Sequence, residues 1–391
     1  MRAIVLSGGG SKGSYQIGVW KALKKLHIKY DIVTGTSVGS LNAAFMTQNT
    51  YKKAVKLYKH TNMYTLFGED VKRPKNNKEL IKIYSSNLKT GGLDVTNFGK
   101  RINEYLNIKK FNKSKIKFAL VTYNRTDKKG VTLSPKKISK KRLTDYLIAS
   151  CSVYPVFPYK RINGKDYIDG GFYDNLPINA AIDLGADEII AVDLKAPGIH
   201  KKPKKKVRTI TIKPNNKLSN FLLFKEDILK INMRYGYNDT LKAFHKADGK
   251  KYTFKNHTIS KIRYKHEKEM LEIYNKVLKN PYYLSKFRKE INASKDISTI
   301  FKKSLYIKII ESLARNFNID DTKIYSYKKI NKLFKKELKR RLRLKTREKD
   351  PIISMYKKIN KRNFSLVRPE AFINPLEFLE SIYLYTITHK W

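Results

Sequence analysis

Near the start of the chain, Gly35-Thr36-Ser37-Val38-Gly39 combines a hydroxyl that could act as a nucleophile with the backbone freedom to present it. The five residues follow the apolar pair Ile32-Val33 and lead into a helical pattern, Leu41-Asn42-Ala43-Ala44-Phe45-Met46. A serine in such a strand-to-helix turn sits on a strained corner with its hydroxyl pushed outward. Glycines on both flanks remove side chains that would collide there. Taken alone, the pentapeptide suits an ordinary turn with a capping serine equally well.

One element upstream, Ala3-Ile4-Val5-Leu6 reads as a strand and runs into Ser7-Gly8-Gly9-Gly10-Ser11-Lys12-Gly13. Val19, Ala22, Leu23 and Leu26 then share a helical face. Consecutive glycines between strand and helix leave backbone N–H groups uncovered, and the helix N-terminus adds partial positive charge. The result is an anion cradle, suited to a ligand phosphate or to the oxyanion of an acyl transfer. Gly8-x-Gly10-x-x-Gly13 also has the spacing of a dinucleotide fingerprint. That motif needs an acidic residue at the end of the second strand, whereas Asp31 precedes the apolar pair. A phosphate loop fails too, because Gly13 follows Lys12 where Ser or Thr is required. An oxyanion cradle beside a serine elbow accounts for both glycine clusters.

Further along, Asn163-Gly164 marks a hairpin between Tyr159–Ile162 and Lys165–Ile168. It delivers Asp169-Gly170-Gly171, an aspartate at a strand end followed by an open turn that another backbone or a substrate can approach. A helix from Lys140 to Ala149 precedes it, with Pro155 and Pro158 holding the intervening stretch extended. Asn175 and Pro177 introduce a helix over Ile178–Leu184, and Gly185 stops it. Further strands are expected at 116–123, 131–133, 189–192 and 208–212. Nearly all-apolar strands alternating with helices predict a three-layer α/β/α fold around a mainly parallel sheet.

The three motifs, in this order, resemble those of the patatin-like phospholipases, which act through a Ser-Asp dyad. The likeness covers roughly residues 1–200 and includes Pro155–Pro158, Asp174-Asn175-Leu176-Pro177 and Gly185-Ala186-Asp187. It is looser over Leu222–Thr240. Carried over residue by residue, it implies Ser37 as nucleophile, Asp169 as proton acceptor, and Gly8, Gly9 and Gly10 as an oxyanion hole. Ser11, Lys12, Gly13, Gly35, Gly39, Gly170 and Gly171 become supporting motif residues. The implied activity is hydrolysis of acyl-lipid esters, phospholipids among them, with no cofactor. No His/Asp/Glu cluster has metal-ligand spacing, so no metal is expected. A Ser-His-Asp esterase is the enzymatic rival, with His200 or His245 following in the chain, although neither sits in a recognisable turn.

Around this core the sequence is less specific. Residues 51–112 read as irregular helices, with Phe98, Ile102 and Tyr105 in a stripe behind a cap at Thr96. Tyr58, Met63, Tyr64, Leu66 and Phe67 would suit the wall of an acyl pocket, but such clusters are more often ordinary core. A helix is expected over Leu218–Ala247. Past Asn256 the chain becomes basic helix upon helix, which divides it into a catalytic domain, 1–250, and a C-terminal region, 251–391. The segment Lys335–Lys349 is the most basic, and Phe372–Trp391 is apolar and aromatic. The tail reads as core packing in preference to a membrane-docking helix.

The net charge of +51, from 84 Lys+Arg against 33 Asp+Glu, favours anionic partners. The lysines are spread along the whole chain, so a general compositional bias is the larger cause, with attraction to anionic membrane surfaces as a consequence. No nucleic-acid-recognition motif accompanies the charge, so a basic binding module with an idle dyad rests on charge alone. The single cysteine, Cys151, permits no intrachain disulfide. Residues 1–6 already read as a strand, leaving no room for a leader, and no run approaches the ~20 apolar residues of a membrane span. The expectation is a cytoplasmic protein capable of peripheral membrane contact.

Overall fold

The computed structural model describes residues 1–68, 74–88, 91–278, 301–344 and 350–389. The chain divides into two compact units, Met1–Ala243 and Phe244–Trp391. In the first, strand β1 (Arg2–Leu6) lies at the centre, parallel to β2 (Ile32–Thr36) on one side and β7 (Glu188–Val192) on the other. Strand β3 (Lys117–Asn124) extends the parallel sheet beyond β2, and β8 (Arg208–Ile212) extends it beyond β7. Strands β4 (Lys129–Leu133), β5 (Lys160–Ile162) and β6 (Lys165–Asp169) join antiparallel. Asn163 and Gly164 turn the β5–β6 hairpin with φ of 48° and 73°, the left-handed pair that a two-residue hairpin turn requires.

Register at β3 brings the site together. Strand β2 pairs with β3 as far as Thr36↔Val121, and β6 pairs with it from Asp169↔Thr122. Strand β4 pairs with Leu120–Asn124, overlapping both, so it must occupy the opposite edge. Strands β2 and β6 therefore share one edge of β3 and meet end to end. Ser37 leaves the end of one and Asp169 closes the other.

Both faces of the sheet are covered. Helix α9 (Ile178–Asp183) packs on Ala3, Val5, Ile32, Ile189 and Ala191. Ile4, Leu6 and Val33, which alternate with these, are also fully buried. Helices α1 (Gly13–Lys25), α2 (Val38–Thr47), α8 (Lys140–Cys151) and α10 (Glu226–Ala243) complete the layers. Helices α1 and α10 pack backbone against backbone: a Cβ at Gly18 would meet the Met233 carbonyl, and one at Gly236 the Tyr15 carbonyl. Asp239 locks this pair, accepting from the Tyr15 hydroxyl at 2.9 Å and pairing with Lys242 at 2.9 Å.

The second unit has its own core. A small sheet (Ala247–Asp248, Thr253–Lys255, Ile324–Tyr325) accompanies helices Thr258–Val277, Lys303–Asn316, Tyr327–Arg343, Pro351–Asn360, Phe364–Ile373 and Pro375–Thr388. In the last helix Phe378, Leu379, Ile382, Tyr383 and Leu384 are completely buried, so the apolar tail is core. In the basic segment Leu338 is buried on helix Tyr327–Arg343; residues 345–349, like Trp391, lie outside the described residues. Among the described residues no helix is long and apolar enough to cross a membrane.

Candidate active site

Ser37 occupies the corner between β2 and α2 with φ 55° and ψ −132°, a conformation that strains any residue with a Cβ. The flanking glycines permit it. A Cβ on Gly35 would strike the Gly39 backbone, and one on Gly39 would strike the Leu6 carbonyl. The Ser37 N–H donates to Ser150 Oγ at 2.8 Å, and the Ser150 hydroxyl donates to the Val121 carbonyl at 2.7 Å. Ser150, unmarked by any sequence motif, thus anchors the corner to β3.

Asp169 is 4% exposed. Its N–H donates to the Ser152 carbonyl at 2.8 Å, and its Oδ1 accepts from the Gly171 N–H at 2.7 Å. Gly170 turns the chain away so closely that a Cβ there would meet the Val121 carbonyl. Burial pushes the Asp169 pKa up to about 6, against smaller opposing pulls from the Ser37 hydroxyl and the Gly171 N–H. The Ser37 hydroxyl is near enough to stabilise the carboxylate but stops short of a hydrogen bond. Asp169 Oδ2 is buried with no partner. Loose contacts of this kind between reacting groups are common before substrate binds. Cys151, between the two serine anchors, lies beside the same groups. Burial pushes its thiol pKa well up, and the Asp169 charge adds to this, so the thiol stays neutral.

Of the three glycines expected as oxyanion donors, Gly8 departs from that role, because its N–H is committed to the Asn175 carbonyl at 3.1 Å. The N–H groups of Gly9 and Gly10 find no acceptor among the described residues, and both glycines border the same cavity as Ser37 and Asp169. Gly10 has φ 52°, and a Cβ there would collide with the Phe221 carbonyl, which accepts the Ser11 N–H at 2.8 Å. The Ser11 hydroxyl donates to the Asn220 carbonyl, and Gly13 packs against Val38 and Tyr58. Lys12 points its ammonium at the Lys195 carbonyl, 3.5 Å away, and does not line the cavity. Burial lowers its pKa, with Asp193 opposing.

The cavity measures about 340 Å³ and is overwhelmingly apolar. Tyr58, Leu66 and Phe67 form part of its wall, so three members of the aromatic cluster read from the sequence as core face the cavity; Met63 is core and Tyr64 is exposed. Phe67 stacks on Phe157 with centroids 5.4 Å apart. Among the described residues no histidine lines the cavity, which leaves the Ser-His-Asp arrangement unsupported. Among the described residues no three His, Cys, Asp or Glu side chains are grouped to hold a metal ion.

Residues 4–182 match the model of the patatin-like phospholipase family. Similar proteins include the lysophospholipase nte1 of Aspergillus terreus (strain NIH 2624 / FGSC A1156), 30% identical over 204 residues, or 49% of this chain and 12% of that protein. The lysophospholipase NTE1 of Coccidioides immitis (strain RS) is 32% identical over 206 residues, with shares of 49% and 11%. The chain thus spans about an eighth of the length of the curated relatives it matches. Among solved structures, VipD from Legionella pneumophila aligns over 99% of this chain and 90% of its own, at 14% identity and a TM-score of 0.36. That score is too low to bear on the site.

Proposed function

We propose that this chain is a lipid acyl hydrolase of the phospholipase A or lysophospholipase type, acting through a Ser37–Asp169 dyad without a metal. The observation that carries the reading is the cavity shared by Ser37, the unpartnered Asp169 Oδ2 and the free N–H groups of Gly9 and Gly10. Its apolar wall suits a fatty acyl chain, with the ester carbonyl at the polar end. The family match and the two lysophospholipase relatives support the same substrate class.

Ser37 Oγ attacks the ester carbonyl carbon and passes its proton to Asp169 Oδ2. Gly9 and Gly10 donate to the oxyanion as the tetrahedral intermediate forms. Preorganised donors of this kind are worth on the order of 10²–10³ in rate each. Asp169 returns the proton to the departing alcohol, leaving an acyl ester on Ser37. Water then gives a proton to Asp169 and attacks the acyl carbon; as the tetrahedral intermediate collapses, Asp169 returns that proton to Ser37 Oγ and the fatty acid leaves. A carboxylate with a pKa of about 6 is a stronger base than an ordinary aspartate, which is what a site without a histidine base needs.

The catalytic domain is taken as the first unit, Met1–Ala243, with Phe244–Trp391 as a separate, mostly helical region; a boundary at 250, as expected from the sequence, would split the second unit's small sheet after Ala247–Asp248. Anionic membrane surfaces are the natural place for so basic a chain to meet lipid. A serine-reactive fluorophosphonate probe tests the nucleophile: it should label the wild type and leave Ser37→Ala unlabelled. Labelling of both, or of neither, would remove Ser37 from that role.

A further inference from the structure

Two large apolar side chains that line the cavity also stand open to solvent: Phe172, 45% exposed, and Ile199, 53% exposed. Their segments are joined backbone to backbone. The Ile199 N–H donates to the Gly171 carbonyl at 2.9 Å, and the Asn175 N–H donates to the Ile199 carbonyl at 2.6 Å. The pair therefore stands on adjoining segments at the cavity mouth, immediately after Asp169. Other exposed apolar residues of this unit, such as Ile81 at 64%, do not border the cavity. Cations accompany the pair: Lys201 holds its ammonium 3.1 Å from the Tyr173 ring centroid, and Lys202 is exposed beside it.

We propose that this rim, Phe172 and Ile199 flanked by Lys201 and Lys202, docks on an anionic phospholipid bilayer. The proposal rests on the reading of the cavity as an acyl site. Exposed apolar residues at the mouth of a cavity mark an interaction surface, and the chemistry around them selects the partner. A bilayer interface offers both complements at once, an acyl boundary for Phe172 and Ile199 and anionic headgroups for the lysines. Nucleic acid would satisfy the lysines and leave the apolar pair in water. A second copy of the chain would bring another +51 charges against the first. Docking here also lets an acyl chain pass from bilayer to cavity without crossing water.

The test uses the full chain carrying Ser37→Ala, so that lipid turnover plays no part, and measures cosedimentation with vesicles. One set is equal parts phosphatidylcholine and phosphatidylglycerol, the other phosphatidylcholine alone. At about 1 M salt the Debye length falls to ~3 Å and general charge attraction is suppressed, isolating the apolar contribution. Adding Phe172→Ser and Ile199→Ser should weaken anionic-vesicle binding about tenfold or more and abolish the salt-resistant part, the scale expected when large apolar side chains no longer leave water. Adding Ile81→Ser should change nothing. Lys201→Ala with Lys202→Ala should weaken binding to the anionic vesicles only, and only at low salt. Equal binding by the Phe172/Ile199 variant and the Ile81 control would overturn the proposal. So would loss of a dimer in that variant with vesicle binding intact, which would assign the surface to a second copy. Failure of the hydrolase reading would appear in the labelling of wild-type Ser37 and leave this comparison unaffected.

Discussion

The Ser37 N–H donates to Ser150 Oγ at 2.8 Å, and the Ser150 hydroxyl hands the connection on to the Val121 carbonyl of β3. One buried hydroxyl thus ties the strained corner to the strand that also pairs with Asp169. Ser150→Ala would leave the Ser37 N–H buried without an acceptor, at a cost of about 1–3 kcal/mol. The expected outcome is a lower melting temperature, a kcat reduced tenfold or more, and little change in KM. An unchanged kcat would mean that the glycine contacts alone hold the corner.

Asp169 must be ionised to accept the Ser37 proton, and burial holds its pKa at about 6. The rate of ester hydrolysis should therefore rise with pH through an apparent pKa near 6 and level off above it. Asp174 is pushed to about 6 by its own burial and titrates in the same window. The limb should persist in Asp174→Asn if Asp169 is its source. A limb near pH 4 would contradict the burial argument.

The same shift makes a stability prediction. In the fold the Asp169 pKa is raised above its unfolded value, so the associated stability is present below about pH 4 and is lost as pH rises through 6. The difference between a pKa of about 4 and one of about 6 corresponds to roughly 3 kcal/mol. Asp169→Asn cannot ionise and should match the wild type near pH 4, exceed it at neutral pH, and hydrolyse no ester. Urea unfolding at the two pH values checks this, and a variant less stable at neutral pH would contradict it.

Gly10 is held at φ 52° against the Phe221 carbonyl. Gly10→Ala strains that conformation and forces the loop aside, displacing an oxyanion donor. A loss on the order of 10²–10³ in kcat is expected, with a smaller effect on KM. A kcat within a few-fold of wild type would move the oxyanion hole elsewhere.

What could be read in the sequence was what is enforced locally. The glycines around Ser37 and after Asp169 are there because backbones nearly touch, and a steric demand of that kind writes itself into residue type. The Asn163-Gly164 turn was legible because its left-handed backbone demands those residues, and strand β8, found at Arg208–Ile212 as expected, because its β-branched residues alternate locally. Long-range pairing left no such mark. Leu218–Phe224 reads as the start of a helix, yet α10 begins only at Glu226. The earlier residues are kept out of the helix, in a turn closed by the Leu223 N–H donating to the Asn220 carbonyl, because the Phe221 carbonyl takes the Ser11 N–H, the Leu222 carbonyl takes the Tyr84 hydroxyl, and Phe224 is needed in the cavity wall. Thr96 reads as a helix cap, but it is the first helical residue, and Asp94 Oδ1 accepts its N–H at 2.8 Å. Ser150 looks like any helix-end serine, and the commitment of the Gly8 N–H to Asn175 depends on a residue far along the chain. The small sheet of the second unit pairs Thr253–Lys255 with Ile324–Tyr325, strands too short to show a period.

The central claim is that Ser37 and Asp169 together hydrolyse acyl-lipid esters. The most direct measurement is fatty-acid release from a lysophospholipid and a diacyl phospholipid by purified wild type, Ser37→Ala and Asp169→Ala, each confirmed folded by circular dichroism. Release by the wild type from at least one substrate, and by neither variant, is expected. Comparable release by either folded variant, or none by the wild type, would contradict the dyad.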